Sequence, residues 1–233
     1  MTKYLSQLPL SLSLKDDATF DNFFLGKNVE IITELKKAAS GQGEKLIYLY
    51  GASGLGASHL LQACCHYAHQ YQRSSVYLPF AELVSLSPEI LIGLESLSLL
   101  CFDDLQVTAG HNEWQEAIFH LFNRVYDLNG QIIMAANQLP KLLNLQLADL
   151  VSRFEWSVIY HIHPLTDDEK QAVLIMRAHR RGIDLSEEVI KYLLTHYNRH
   201  IGTLLKALDV LDQASLSAKR RLTVPFVKEI LQI

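Results

Sequence analysis

With 233 residues, 49% of them hydrophobic and 20% charged, the chain is long enough for one α/β domain with a small companion, and too apolar for a disordered segment. A formal net charge of −4 excludes an overall positive field, so any attraction to nucleic acid or anionic membrane has to be local. Apolar stretches such as Leu97 to Leu105 are interrupted and fall well short of the roughly 20 residues that span a bilayer, and the N-terminus alternates leucine with serine without a small-residue cleavage signature; a cytoplasmic protein without membrane contact is expected.

Residues 1–18 carry no helical period and are expected to form a flexible tail. From Asn28 to Ala39 the apolar positions Val29, Ile32, Leu35 and Ala39 recur at helical spacing, and Ser40-Gly41-Gln42-Gly43 ends the element. Leu46 to Tyr50 reads as a strand, Ser58 to Tyr71 as a helix, Ser75 to Leu78 as a second strand, and Pro79 to Val84 as a short helix. Leu97 to Phe102 is nearly all apolar, as a strand buried on both faces should be. A helix over Trp114 to Leu128, a strand over Gln131 to Ala135 and a fifth strand over Val158 to Ile162 complete an alternation that specifies a parallel sheet with helices on both sides. After Pro164 only helices are expected. Thr166 caps the first, with acids in its opening turn, Ser186 begins a second, Ile201 to Leu216 forms a third, and Thr223-Val224-Pro225 opens a fourth. The expected organisation is a tail over 1–18, an α/β core over 19–163 and a helical lid over 164–233.

The first chemistry-bearing segment is Gly51-Ala52-Ser53-Gly54-Leu55-Gly56-Ala57-Ser58. It matches the phosphate-loop pattern G-x-x-x-x-G-K-[ST] in both glycines and the serine, with Ala57 where lysine belongs. The backbone amides that cradle α- and β-phosphates survive that change, whereas the side chain that reaches the γ-phosphate is lost. A charge-assisted hydrogen bond of this kind contributes roughly 1.5–3 kcal/mol, so the chain reads as a nucleotide binder without ATPase activity of its own. Downstream, a buried strand ends in Cys101-Phe102-Asp103-Asp104, the form of an acid that holds magnesium beside a phosphate loop; two turn-capping aspartates are the alternative. The cysteines Cys64, Cys65 and Cys101 offer neither a disulfide framework nor metal spacing and read as buried small hydrophobes. The clusters Arg180-Arg181 and Lys219-Arg220-Arg221 read as solvated faces, leaving only weak or indirect DNA contact.

Several strings together resemble the AAA+ module of the bacterial replication initiator DnaA: Thr19-Phe20-Asp21-Asn22-Phe23 with Gly26 and Asn28, Tyr50-Gly51, Gly54-Leu55-Gly56, Ser58-His59-Leu60-Leu61, Asp103-Asp104, Gln131-Ile132-Ile133 and Asp149-Leu150-Val151-Ser152-Arg153-Phe154. The resemblance covers roughly residues 19 to 215 and implies an AAA+ P-loop core with a five-stranded parallel sheet and a C-terminal all-helical lid. It implies a nucleotide site in which Gly54, Leu55, Gly56, Ala57, Ser58 and His59 surround phosphates, Phe23, Phe24 and Leu25 lie near the base, and Asn137 occupies the place of a sensor aspartate. Ser58 and Asp103 would hold magnesium, if it is bound. The sensor arginine of the lid falls, in this register, on Gly202. Arg153 corresponds to the finger that enters a neighbouring subunit's site, an ordinary surface arginine in a Ser-Arg-Phe turn being the alternative.

Gln7-Leu8-Pro9-Leu10-Ser11-Leu12 resembles the short peptide by which bacterial proteins dock on the replicative sliding clamp, with Gln7, Leu8, Leu10 and Leu12 as the contacts. No duplex-reading helix-turn-helix segment follows the lid, so origin recognition by base readout is not expected. In extent the chain resembles the DnaA-homologous regulatory inactivators within this family. The resemblance then implies a protein that holds ADP, self-associates, docks on the DNA-loaded clamp and presents Arg153 to ATP on the initiator, limiting re-initiation. An autonomous AAA+ ATPase and a DNA-binding replication adaptor are the alternatives.

Overall fold

The computed structural model describes residues 14, 15, 17–198 and 200–232. Helix α1 (Val29–Ala39) leads to β1 (Leu46–Tyr50), α2 (Ala57–Gln70), β2 (Ser75–Pro79) and a single turn of helix, α3 (Phe80–Leu83). Next come β3 (Leu99–Asp103), α4 (Asn112–Asp127), β4 (Gln131–Ala136), α5 (Ala148–Glu155) and β5 (Val158–His161). The strands form one all-parallel sheet in the order β2-β3-β4-β1-β5, as the alternation of elements requires.

Alternate residues of the central strands feed two separate cores. Leu46 and Tyr48 of β1, Leu100 and Phe102 of β3, and Ile132 and Met134 of β4 pack on one face with α4 and α5. Ile47, Leu49, Leu99, Cys101, Ile133 and Ala135 pack on the other with α1 and α2. A strand covered on both faces has no polar side to show, and this is why these three read as unbroken apolar runs. All three cysteines are buried and unpaired.

The remaining helices, α6 (Asp167–Arg180), α7 (Glu187–His196), α8 (Ile201–Ala218) and α9 (Val224–Leu231), have their own core of Leu174, Ile190, Leu193, Leu204, Leu211 and Phe226. Their starts follow the local chemistry. Thr166 and Glu169 form a reciprocal capping box on α6, the Ser186 hydroxyl accepts from the Val189 amide on α7, and Pro225 occupies the first turn of α9. Among the described residues no helix is long and apolar enough to cross a membrane.

Three expectations need correction. Arg153 lies not in a turn but in the last turn of α5, a helix of eight residues whose inward face consists of Leu150 and Phe154 alone; two apolar positions are too few for a periodic signal. Strand β3 begins two residues later than expected, because Leu94–Ser96 forms a 3-10 turn, and it extends to Asp103. Residues 14, 15, 17 and 18 were assigned to the flexible tail but are tied to the body: the Lys15 amide donates to Gln62 Oε1 at 2.9 Å, Leu14 packs against the α1/α2 core, and Ala18 is buried. The clamp-like segment, Gln7 to Leu12, lies outside the described residues.

The join between core and lid is held by one buried amide. Asn28, 1% exposed, donates from Nδ2 to the His163 carbonyl at 3.2 Å and accepts from the His163 amide at 2.8 Å. Removing it strands both backbone groups of His163, so Asn28→Ala is expected to destabilise the protein by about 1–3 kcal/mol, read from the midpoint of urea unfolding. A change under about 0.5 kcal/mol would mean that water replaces the amide there.

Candidate nucleotide site

The site lies where adjacent strands β3, β4 and β1 reach their carboxyl ends, so that Asp103, Asn137 and Gly51 emerge side by side from three parallel strands. Open α/β sheets bind ligands at such an edge, where the strand order changes direction. After β1 the chain runs to the far edge at β2, and only β5 lies on the other side of β1.

From β1 the chain turns through the glycine segment into α2. Gly54 and Gly56 have φ of +84° and +97°, left-handed values that disfavour any side chain. A Cβ on Gly56 would also stand 2.7 Å from the Phe23 ring, and one on Gly54 would stand 3.2 Å from His200 Nδ1 at the start of α8. The loop is therefore held between the N-terminal segment and the lid. Gly56 is the N-cap of α2, with no side chain accepting from the first turn. The amides of Ala57, Ser58 and His59 are left as free donors at the positive end of a helix dipole, the arrangement that favours a phosphate.

Beside the loop, Asp103 is 2% exposed. Its Oδ2 accepts from the Tyr77 hydroxyl at 2.6 Å and its Oδ1 from the Asp104 amide at 2.9 Å. Burial raises its carboxyl above the ordinary aspartate range, against the opposing hydrogen bonds of Ser58 and Tyr77. Ser58 and Asp103 are hard oxygen donors of the kind magnesium takes alongside nucleotide phosphates. Gln106 links the neighbouring strand ends, accepting from the Asn137 amide at 3.2 Å and donating to Asp104 Oδ1 at 2.8 Å.

The lid closes the other side. Leu165, Val173, Arg177, Ile201, Gly202, Leu205, Lys206 and Asp209 line, together with the loop, a cleft of about 570 Å³, a volume in the range of small-molecule sites. Phe23, Phe24, Gly54, Leu55, Gly56, Ala57, Ser58, His59, Asp103 and Asn137 all line it. Leu25 does not: it is 44% exposed and outside the cleft wall, a correction to the expected trio. A Cβ added at Gly202 would meet nothing within 4 Å. Lys206, one turn further along α8, brings a cation to the same wall.

Four residues here were given no site role from the sequence: Asn28, Tyr77, Gln106 and Arg177. Arg177 reads in sequence as a charge near a helix C-terminus, yet it is 9% exposed, donates to the Asn22 carbonyl at 3.2 Å and pairs with Asp17 at 3.7 Å. Burial lowers its pKa. Arg180 adds contacts to the Asn22 side chain and the Asp21 carbonyl, and Arg181 pairs with Asp209. The Arg180-Arg181 cluster thus stitches the segment ahead of Phe23 to the lid and the lid to itself. No local pattern announces the contacts of Arg177 and Arg180, because their partners are more than a hundred residues away.

His59 faces the same segment rather than a phosphate, its Nε2 lying 2.8 Å from the Thr19 carbonyl. Burial lowers its pKa from 6.5, and the Arg177 charge pushes the same way. A base with a depressed folded pKa contributes stability above its unfolded pKa and loses it as protonation is forced. Stability should therefore fall as pH drops below about 6.5, and His59→Gln should flatten that slope. Thermal unfolding of both proteins from pH 7.5 to 5 checks this; parallel curves would exclude His59 as the source.

Arg153 does not line the cleft. Its guanidinium carbon stacks 3.9 Å from the Trp156 ring centre, with Phe119 of α4 at 5.9 Å.

A parallel sheet in this order, a glycine loop between β1 and α2, an acid ending β3 and a helical lid over the cleft define a P-loop protein of the AAA+ class. The family model of the bacterial DnaA ATPase domain matches residues 14–84 and 90–161, and that of the Hda lid domain matches residues 167–231. The chain belongs to the DnaA family of AAA+ proteins, with a lid of the Hda kind. Among solved structures it is similar to domain III of the Thermotoga maritima replication initiation protein DnaA, at 23% identity and a TM-score of 0.82, covering 94% of this chain and 98% of that one. AMPPCP-bound DnaA from Aquifex aeolicus is 28% identical with a TM-score of 0.70, over 88% of this chain and 69% of that one. Thermotoga maritima RuvB shares the fold alone, at 16% identity and a TM-score of 0.67, covering 92% of this chain and 71% of that one.

Proposed function

We propose that this protein is a regulator of chromosomal replication initiation that holds a nucleoside diphosphate in its own cleft and acts on ATP bound by DnaA. The observation that carries this reading is the contrast between the cleft and Arg153. Within the cleft the groups expected to grip a γ-phosphate are missing: Ala57 replaces lysine and Gly202 replaces an arginine. Arg153 is partly exposed, lies outside that cleft and has no carboxylate partner among the described residues. An arginine so placed suits another subunit's nucleotide, where a finger neutralises charge on the transferring phosphoryl group.

ADP is the ligand that best suits the cleft, since the loop amides and the first turn of α2 address α- and β-phosphates, and the Aquifex relative carries an adenine nucleotide analogue. The residues for it are Phe23 and Phe24 toward the base and Gly54 to Ser58, the His59 amide and Asn137 toward the phosphates; Leu25 is left out. Magnesium, where bound, would be held by Ser58 and Asp103 and would offset phosphate charge. The residues ahead of Leu14, with Gln7, Leu8, Leu10 and Leu12, serve as a sliding-clamp peptide, which brings the protein to DNA with only weak or indirect DNA contact of its own. AAA+ modules bury nucleotide between subunits, so self-association, or pairing with DnaA, is part of the reading. The division into tail, α/β core and lid follows these roles.

The test is hydrolysis of DnaA-bound ATP, with clamp loaded on DNA, in the presence and absence of this protein. Stimulation that also requires the clamp is expected. Robust ATP turnover by the purified protein alone, or no stimulation of the initiator, would overturn the proposal.

A further inference from the structure

Every other arginine whose side-chain contacts are described, Arg221 apart, is engaged by an oxygen: Arg73, Arg177 and Arg180 by carbonyls, and Arg124, Arg181 and Arg220 by carboxylates. Arg153 is held by aromatic rings instead. Its partner Trp156 follows three residues later, at the C-cap of α5, on the same helix face. The Trp156 amide donates to the Arg153 carbonyl at 3.2 Å, fixing the backbone between them. The indole is supported in turn by Tyr126 of α4, 5.9 Å away and edge-on at 61°. Trp156 and Tyr126 are 53% and 41% exposed, a costly position for two large rings unless they serve a surface role.

We propose that Trp156 is the positioning residue for Arg153, holding the guanidinium flat and uncompensated at the surface for a phosphate on a partner protein. This rests on the reading of Arg153 as an arginine that acts in trans. A ring face attracts the cation without occupying its N–H groups. The whole donor fork stays available to a phosphate oxygen, and no ion pair has to break before it engages. A carboxylate in the same place would order the side chain equally well but would compete with the phosphate for the same donors. Stacking also restricts a long, flexible side chain before the partner arrives, which matters because small displacements at a reacting centre cost large factors in rate.

The experiment measures clamp-dependent stimulation of DnaA ATP hydrolysis by the wild type, Arg153→Ala, Trp156→Phe and Trp156→Leu, each titrated against the initiator. Leucine keeps apolar bulk without a ring face, and phenylalanine keeps the face. Trp156→Leu is expected to lower the maximal stimulated rate about tenfold at an unchanged half-saturating concentration, with Trp156→Phe within about threefold of wild type. Unfolding midpoints should agree across the series. Acrylamide quenching gives a second readout, since Trp114 is buried and Trp156 is not: Arg153→Ala should increase the quenching of the exposed tryptophan. If Trp156→Leu matches wild type while Arg153→Ala is inactive, or if leucine and phenylalanine lose equally, Trp156 has no positioning role. If Arg153→Ala stimulates fully, the reading of Arg153 itself fails.

Discussion

Arg153→Ala is expected to abolish stimulation of DnaA-bound ATP hydrolysis while leaving the protein folded and its own nucleotide affinity unchanged. Trans arginines of this type contribute roughly 10³–10⁵ in rate, so loss of the side chain should return hydrolysis to the initiator's unstimulated level. Nucleotide affinity is spared because Arg153 does not line its own cleft. Stability is spared because the side chain is partly exposed and its stacking on an exposed ring contributes only about 0.5–1 kcal/mol. Arg153→Lys should recover little, since an ammonium cannot make the planar, two-pronged contact of a guanidinium. Single-turnover hydrolysis of ATP preloaded on the initiator measures the chemical step, and calorimetry with ADP measures the protein's own site. Loss of ADP binding together with stimulation would place Arg153 in cis.

The second large effect falls on Gly56→Ala, which should reduce ADP affinity at least tenfold and destabilise the fold. Two costs coincide there. The left-handed φ of +97° penalises a side chain by about 1–2 kcal/mol, and the new Cβ meets the Phe23 ring at 2.7 Å, adding about 1–3 kcal/mol of overpacking unless the ring moves. Phe23 cannot move freely, because it also packs against His59, 5.6 Å between ring centres. Relief of the clash therefore displaces the first turn of α2, whose amides face the cleft. Gly110→Ala is the control: φ is +82° but nothing lies within 4 Å of the added carbon, so it should show the backbone cost alone and leave ADP binding intact. In Phe23→Ala/Gly56→Ala the clash is gone but the backbone strain remains, so stability should recover in part. Equal ADP affinity in wild type and Gly56→Ala, by calorimetry, would show that the loop does not cradle the phosphates.

How much of this was legible in the sequence depended on whether the signal was local. Strands β1 and β4 could be read to within a residue because both of their faces are buried and their positions, Gln131 apart, are apolar or aromatic. Helices α6 and α7 announced their starts because Thr166 and Ser186 cap them through hydrogen bonds to residues three positions away. Helix α5 was missed because its packing rests on Leu150 and Phe154 alone, and with it went the true setting of Arg153. Leu25 was placed with Phe23 and Phe24 by the resemblance, but it is exposed and lies outside the cleft wall.

By itself the sequence determined the parallel α/β alternation, the all-helical lid, the glycine loop between strand and helix, and the absence of lysine at Ala57. These follow from the periodicity and chemistry of short segments. Only the tertiary structure decided that Asn28 would clamp His163, that Arg177 would be buried against Asn22 and Asp17, that His59 would turn toward Thr19, and that Trp156 would lie under Arg153. The first two pairings join residues 135 and 155 positions apart. Contacts at such separation leave no trace in local spacing, because they form only where the packing of sheet, N-terminal segment and lid has already brought the backbones together.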